Sequence, residues 1–97
     1  MNDRFAPFRN ATAEALLDGP GATAVGLRQS IAAGHPPPEL TGLVEKIRAR
    51  AYTVTDQDLE TLRGRYTDDQ LFEIVVAAAF GKARDQLAAA HRALEEA

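Results

Sequence analysis

The stretch Thr67-Asp68-Asp69-Gln70-Leu71-Phe72-Glu73-Ile74-Val75-Val76-Ala77-Ala78-Ala79-Phe80-Gly81 decides the fold of this chain. Thr67 followed three residues later by Gln70 has the form of a capping box, in which the hydroxyl takes the N–H of residue 70 and the Gln side chain reaches back to the cap. Asp68 and Asp69 then place negative charge at the positive end of the helix. From there onward no proline intervenes, and Ala, Leu, Glu, Gln and Arg dominate, so a long helix is predicted over 67–95. Its first half, Leu71 to Phe80, is apolar all round except at Glu73, which demands packing on more than one side. Beyond it Phe80, Leu87 and Leu94 recur every seven residues with Ala83, Ala90 and His91 between them, a seam suited to another helix. Gly81 costs about 1 kcal/mol relative to Ala in a helix interior. Ala77 and Gly81 either form a small-residue groove that lets a neighbouring backbone come close, or Gly81 marks a kink or break.

Upstream, Thr55-Asp56-Gln57-Asp58 reads as an N-cap and acidic first turn, opening a short helix over 55–63 with Leu59 and Leu62 on its apolar side. Tyr52-Thr53-Val54 is β-branched but too short to be more than a connector. A helix is predicted over 38–51, where Pro38 sits in the first turn and Leu40, Leu43, Val44, Ile47 and Ala51 form the buried stripe. His35-Pro36-Pro37-Pro38 is a stiff spacer before it. Short helices are predicted within 10–33. One runs from Phe8 to Leu17 and is stopped by Asp18-Gly19-Pro20-Gly21. The other runs from Thr23 to Ala33, with Ala24, Leu27 and Ile31 on one stripe and Gly34 in the left-handed closing position. Residues 1–9 are expected to form a lead-in, which either docks on the body through Phe5 and Phe8 or frays. The prediction is a single all-α domain of about five helices with a long C-terminal helix.

Composition narrows the function. The chain has 97 residues, 45% hydrophobic and 26% charged, the size of one domain. Its longest uninterrupted apolar run, Ile74 to Phe80, is far short of the ~20 residues of a membrane span. No basic-then-apolar leader opens it, so neither insertion nor secretion is expected and the cytoplasm is the expected location. The absence of cysteine excludes disulfides, thiolate metal sites, Cys nucleophiles and dithiol redox chemistry. A net charge of −3, with Lys46, Arg48 and Arg50 offset by nearby Asp56, Asp58 and Glu60, supplies no field for nucleic acid. Nineteen Ala stand beside only 23 larger aliphatic, Phe and Met side chains, a thin core of the kind that association often supplements. A homo-oligomer or a protein partner is therefore expected.

Few residues suit catalysis. His35 and His91 lack metal-ligand spacing, so no metal is expected, and Gly19, Gly21 and Gly26 form no phosphate loop that would imply a nucleotide cofactor. Ser30 has no arranged His and acid partners. Glu73 is the lone charge in an apolar run, and poor solvation would raise its pKa and suit it to act as a general base. Arg84, eleven residues on, lies about 16 Å further along a straight helix. Pairing with such a cation would thus need another chain, which could supply Arg84 or His91 across a subunit contact, or a bend. The plainer alternative has Glu73 facing solvent or a basic partner, Arg84 in a surface ion pair with Asp85 or a neighbour, and His91 packed or hydrogen-bonded.

The segments Leu43-Val44-Glu45-Lys46-Ile47, Tyr52-Thr53-Val54-Thr55-Asp56-Gln57-Asp58-Leu59-Glu60-Thr61-Leu62 and Tyr66-Thr67-Asp68-Asp69-Gln70-Leu71-Phe72-Glu73-Ile74-Val75-Val76-Ala77-Ala78-Ala79, followed by Arg84, together resemble the C-terminal half of carboxymuconolactone decarboxylase-like proteins, the group that includes alkylhydroperoxidase D. The resemblance covers about half of the chain and lies in two successive capped helix starts and a long apolar helix ending in Arg. It implies an alkylhydroperoxidase D-like all-α fold that assembles through helix packing. The redox members use a Glu, Cys-x-x-Cys and His constellation that a cysteine-free chain cannot hold, so the resemblance carries over no catalytic residue and gives Arg84 a structural role.

The expected function is that of a non-redox helical domain acting through oligomerisation or partner binding. Its expected interface is Leu71, Ile74, Val75, Ala77, Ala78, Phe80, Gly81, Leu87 and Leu94. The alternative is a cofactor-free acid/base enzyme, a decarboxylase or isomerase, using Glu73 with a cation at a subunit interface.

Overall fold

The computed structural model describes residues 17–96, and these contain helices and turns but no strand. Four α-helices follow one another: α1 over Val25–Ala32, α2 over Thr41–Arg50, α3 over Asp56–Glu60 and α4 over Asp68–Glu96. One 3₁₀ turn, Pro38–Leu40, leads into α2 and another, Ala51–Thr53, leaves it. The helix predicted from Phe8 and the 1–9 lead-in lie outside the described residues, apart from Leu17, which is buried in the core.

The caps form as their residue types dictate. Thr55 Oγ1 accepts from the backbone N–H of Asp58, whose carboxylate accepts from the Thr55 N–H in return. Lys46 of α2 also reaches that carboxylate at 2.8 Å, which fastens α3 to α2. At the start of α4 the Gln70 N–H donates to Thr67 Oγ1 at 3.1 Å and the Thr67 N–H donates to Gln70 Oε1 at 2.9 Å. Both ends of this box satisfy donors that the first turn of a helix otherwise leaves open.

Two predicted helices are shorter in the structure. The one expected over 38–51 begins as a 3₁₀ turn and ends where Arg50 adopts φ −153° and ψ 71°, so Ala51 leaves the buried stripe and is exposed. The one expected over 55–63 is regular only through Glu60. Leu62 and Arg63 instead donate to the carbonyls of Leu59 and Glu60, a tightening into i to i−3 bonds that turns the chain toward α4. Gly34 takes φ +85° after α1, as the left-handed closing position requires.

The core gathers Ile31 and Ala32 of α1, Leu40, Leu43, Val44 and Ile47 of the Pro38–Arg50 segment, Leu62, and Leu71, Ile74, Ala77 and Ala78 of α4. Gly81 is buried where α1 ends against α4. A Cβ built there would lie 2.2 Å from the Ala32 carbonyl oxygen and 2.7 Å from its Cα. The small-residue groove therefore exists and α4 runs unbroken through it, the backbone that enters being the protomer's own. Arg48 completes the junction by donating to the Ala32 carbonyl at 3.4 Å and pairing with Asp85 of α4.

Candidate functional site

The residues singled out for chemistry go to three separate places. Glu73 turns inward to the Gly19–Thr23 turn. Its carboxylate accepts from the Thr23 hydroxyl at 2.6 Å, from the Thr23 N–H at 3.0 Å and from the Ala22 N–H at 2.5 Å. Arg28 Nε of α1 lies 3.9 Å away, with its side chain only 4% exposed, and the Arg28 guanidinium also donates to the Gly19 carbonyl. Gly21 is part of this arrangement, since a Cβ there would stand 2.6 Å from the Glu73 carboxylate. Gln70 adds a bond to the Ala22 carbonyl at 3.2 Å.

These donors shift the Glu73 carboxyl in the direction opposite to the expected one. The Thr23 hydroxyl, the Ala22 and Thr23 backbone N–H groups and the Arg28 charge together outweigh desolvation and hold its pKa below the ordinary 4.5. A carboxylate that accepts from three donors fastens the turn and is a weaker base than a free one. Arg84 does not approach it. The Arg84 guanidinium lies over the Phe80 ring, 5.6 Å from the centroid, and Asp85 pairs with Arg48 instead. His91 Nε2 is 3.6 Å from Glu95 one turn on. Three surface grooves, bordered by Arg48 and Lys82, by Lys46 and Asp58, and by Leu59 and Phe72, include none of Glu73, Arg84 and His91 in their walls.

The nine residues expected at an interface divide in two. Leu71, Ile74, Ala77, Ala78 and Gly81 are buried within the protomer. Val75 and Phe80 are half-buried, while Leu87 and Leu94 are 50% and 72% exposed. At about 100° per residue, the buried set occupies one face of α4. On the opposite face a second, apolar stripe runs through Phe72, Val76, Ala79, Ala83, Leu87, Ala90 and Leu94, with Phe80 at its edge packed partly against the core and His91 beside it. It extends about 33 Å along the axis, and Phe72 at its start is 70% exposed. From Ala83 to Glu96 every residue but His91 is exposed, so the last half of α4 stands out as an arm from the body. The principal extents of 47 × 28 × 20 Å reflect that arm.

Sequence reasoning missed the Arg28 and Thr23 partners of Glu73. The signal was present: Arg28 shares the apolar face of α1 with Ala24, Leu27 and Ile31, as Glu73 interrupts the apolar run of α4. Two opposite charges, each alone on an apolar face, are candidates for one buried pair. Compared with protein-family models, curated proteins and solved structures, the chain matches none of them.

Proposed function

We propose that this chain is a non-redox helical domain that acts by presenting the outer stripe of α4 to another helix, in a homo-oligomer or on a protein partner, and that it is a cysteine-free relative of carboxymuconolactone decarboxylase-like proteins. The observation that carries the reading is the all-apolar stripe from Phe72 to Leu94 on the face of α4 turned away from the core. An isolated exposed Leu needs no explanation. A run of about six turns with no polar interruption is the pattern of a surface that another protein covers. The kinship reading draws on the two capped helix starts in tandem and the long helix that follows them. The acid/base alternative draws less support, because the donors on the Glu73 carboxylate occupy its oxygens and lower its basicity.

Light scattering over micromolar concentrations, together with affinity capture using the tagged chain, tests the proposal. A mass above the 10.4 kDa of one chain, or a captured protein released by Leu87→Asp, is the expected result. A monomer throughout with no such protein would overturn it.

A further inference from the structure

We infer that the Gly19–Thr23 turn and Arg28 form a binding site for a carboxylate, which Glu73 fills from within the chain and which a small free carboxylate, formate or acetate, fills when the Glu73 side chain is cut away. Glu73 is not part of the outer stripe of α4, so the test of this site does not depend on what covers that face.

The donors converge on one group. The Ala22 N–H donates to Oε2 of Glu73 at 2.5 Å, the Thr23 N–H to Oε1 at 3.0 Å and the Thr23 hydroxyl to Oε1 at 2.6 Å. Successive backbone N–H groups turned toward one point make a concave seat for an anion. Arg28 supplies the positive charge, its Nε 3.9 Å from Oε1 on a side chain only 4% exposed. Asp18, the acid at the head of the turn, accepts from Gln29 Nε2 instead.

The seat is also held by bonds that do not involve Glu73. Arg28 donates to the Gly19 carbonyl, and Gln70 Nε2 donates to the Ala22 carbonyl at 3.2 Å. Leu17 before the turn and Thr23 at its end are both buried, so the segment is rooted on each side. Removing the carboxylate therefore leaves two N–H groups, a hydroxyl and the Arg28 charge around an opening of carboxylate size. Buried donors and a buried cation left in that state are costly, and an anion that enters relieves the cost. The Glu73 side chain is 22% exposed, which gives a small anion a route from solvent.

Gly21 closes the seat from above. A Cβ there would stand 2.6 Å from Oε1 and 3.0 Å from Cδ and Oε2, so a methyl at this position and a bound carboxylate exclude each other. Gly21 is not among the positive-φ residues, and its backbone accepts alanine.

Urea denaturation of Glu73→Ala in sodium formate or acetate, against sodium chloride of equal ionic strength near pH ~7, tests the inference. Both acids are ionised there. Saturable stabilisation is expected, with the folded-to-unfolded ratio rising about tenfold at about ten times the dissociation constant. Wild type, whose seat is filled, and Glu73→Ala/Gly21→Ala, whose added methyl takes the place of the carboxylate, should show only the general salt response common to all three proteins. In amide magnetic resonance spectra of Glu73→Ala, the Ala22 and Thr23 signals should shift as formate is added, with the same dissociation constant. Sucrose, which favours the compact state without adding charge, keeps Glu73→Ala folded if the substitution alone unfolds it. An equal response of the three proteins to formate and acetate, or Ala22 and Thr23 signals that stay unmoved in folded Glu73→Ala, would overturn the inference. So would a Glu73→Ala chain that stays unfolded in sucrose and formate together, since the seat would then have no form of its own.

Discussion

Gly81→Ala probes the crossing of α1 and α4. On helix propensity alone the substitution should stabilise α4 by about 1 kcal/mol. The new methyl, however, would stand 2.2 Å from the Ala32 oxygen and 2.7 Å from the Ala32 Cα, where ordinary contact begins at 3.4 Å. The obstacle is backbone, which cannot rotate aside as a side chain can. The end of α1 would have to retreat by about an ångström, and Ile31 and Ala32 would leave the core with it. Overpacking of this sort costs about 1 to 3 kcal/mol, and a backbone obstacle places Gly81 at the upper end. After the propensity gain, a net loss of about 2 kcal/mol is expected, or a fall in Tm of about 10 °C for a domain of this size. Thermal and urea denaturation, followed by circular dichroism at one fixed chain concentration, measures it. Gly42→Ala is the control, since nothing lies within 4 Å of a Cβ at that exposed helical position and a small stabilisation is expected. A Gly81→Ala variant as stable as Gly42→Ala would refute the close crossing of α1 and α4.

Glu73→Gln removes the charge that the Ala22 and Thr23 donors surround, at an expected cost of about 1 to 3 kcal/mol near neutral pH, read from urea midpoints. Since the folded pKa of Glu73 lies below the ordinary 4.5, its contribution is complete above that pH and declines as acid protonates the folded carboxylate. Wild type should therefore lose more stability than Glu73→Gln between pH 5 and the acid limit, and parallel profiles would contradict the anchor. Thr67→Ala deletes the acceptor for the Gln70 N–H and should cost about 1 kcal/mol. Amide exchange at Gln70 should accelerate in that variant while exchange at Ile74 changes only with global stability.

The parts of the fold legible in the sequence are those fixed by local chemistry. Thr55 with Asp58 and Thr67 with Gln70 are caps whose geometry depends on three-residue spacing, and the left-handed φ of Gly34 follows from its place at a helix end. Ends governed by longer-range packing shifted: Ala51 lost its place in the α2 stripe when Arg50 turned extended, and α3 stopped at Glu60 when Leu62 swung into the core. The apolar character of Leu71 to Phe80 announced burial on more than one side, yet the sequence could not apportion the sides. That division depends on where α1 and α2 dock, and both dock on the face carrying Leu71, Ile74, Ala77, Ala78 and Gly81. The ionisation of Glu73 was illegible for the same reason, because its donors come from residues some fifty positions away.

Hydroxyl-radical footprinting across a concentration series, with and without a captured protein partner, tests most directly whether the outer face of α4 is covered. Leu87 and Leu94 should be readily oxidised at high dilution and progressively protected as the chain is concentrated. Ile74, fully buried in the protomer, should stay protected throughout. Leu87 and Leu94 oxidised equally at every concentration up to the solubility limit, and no less in the presence of any captured protein, would contradict the account.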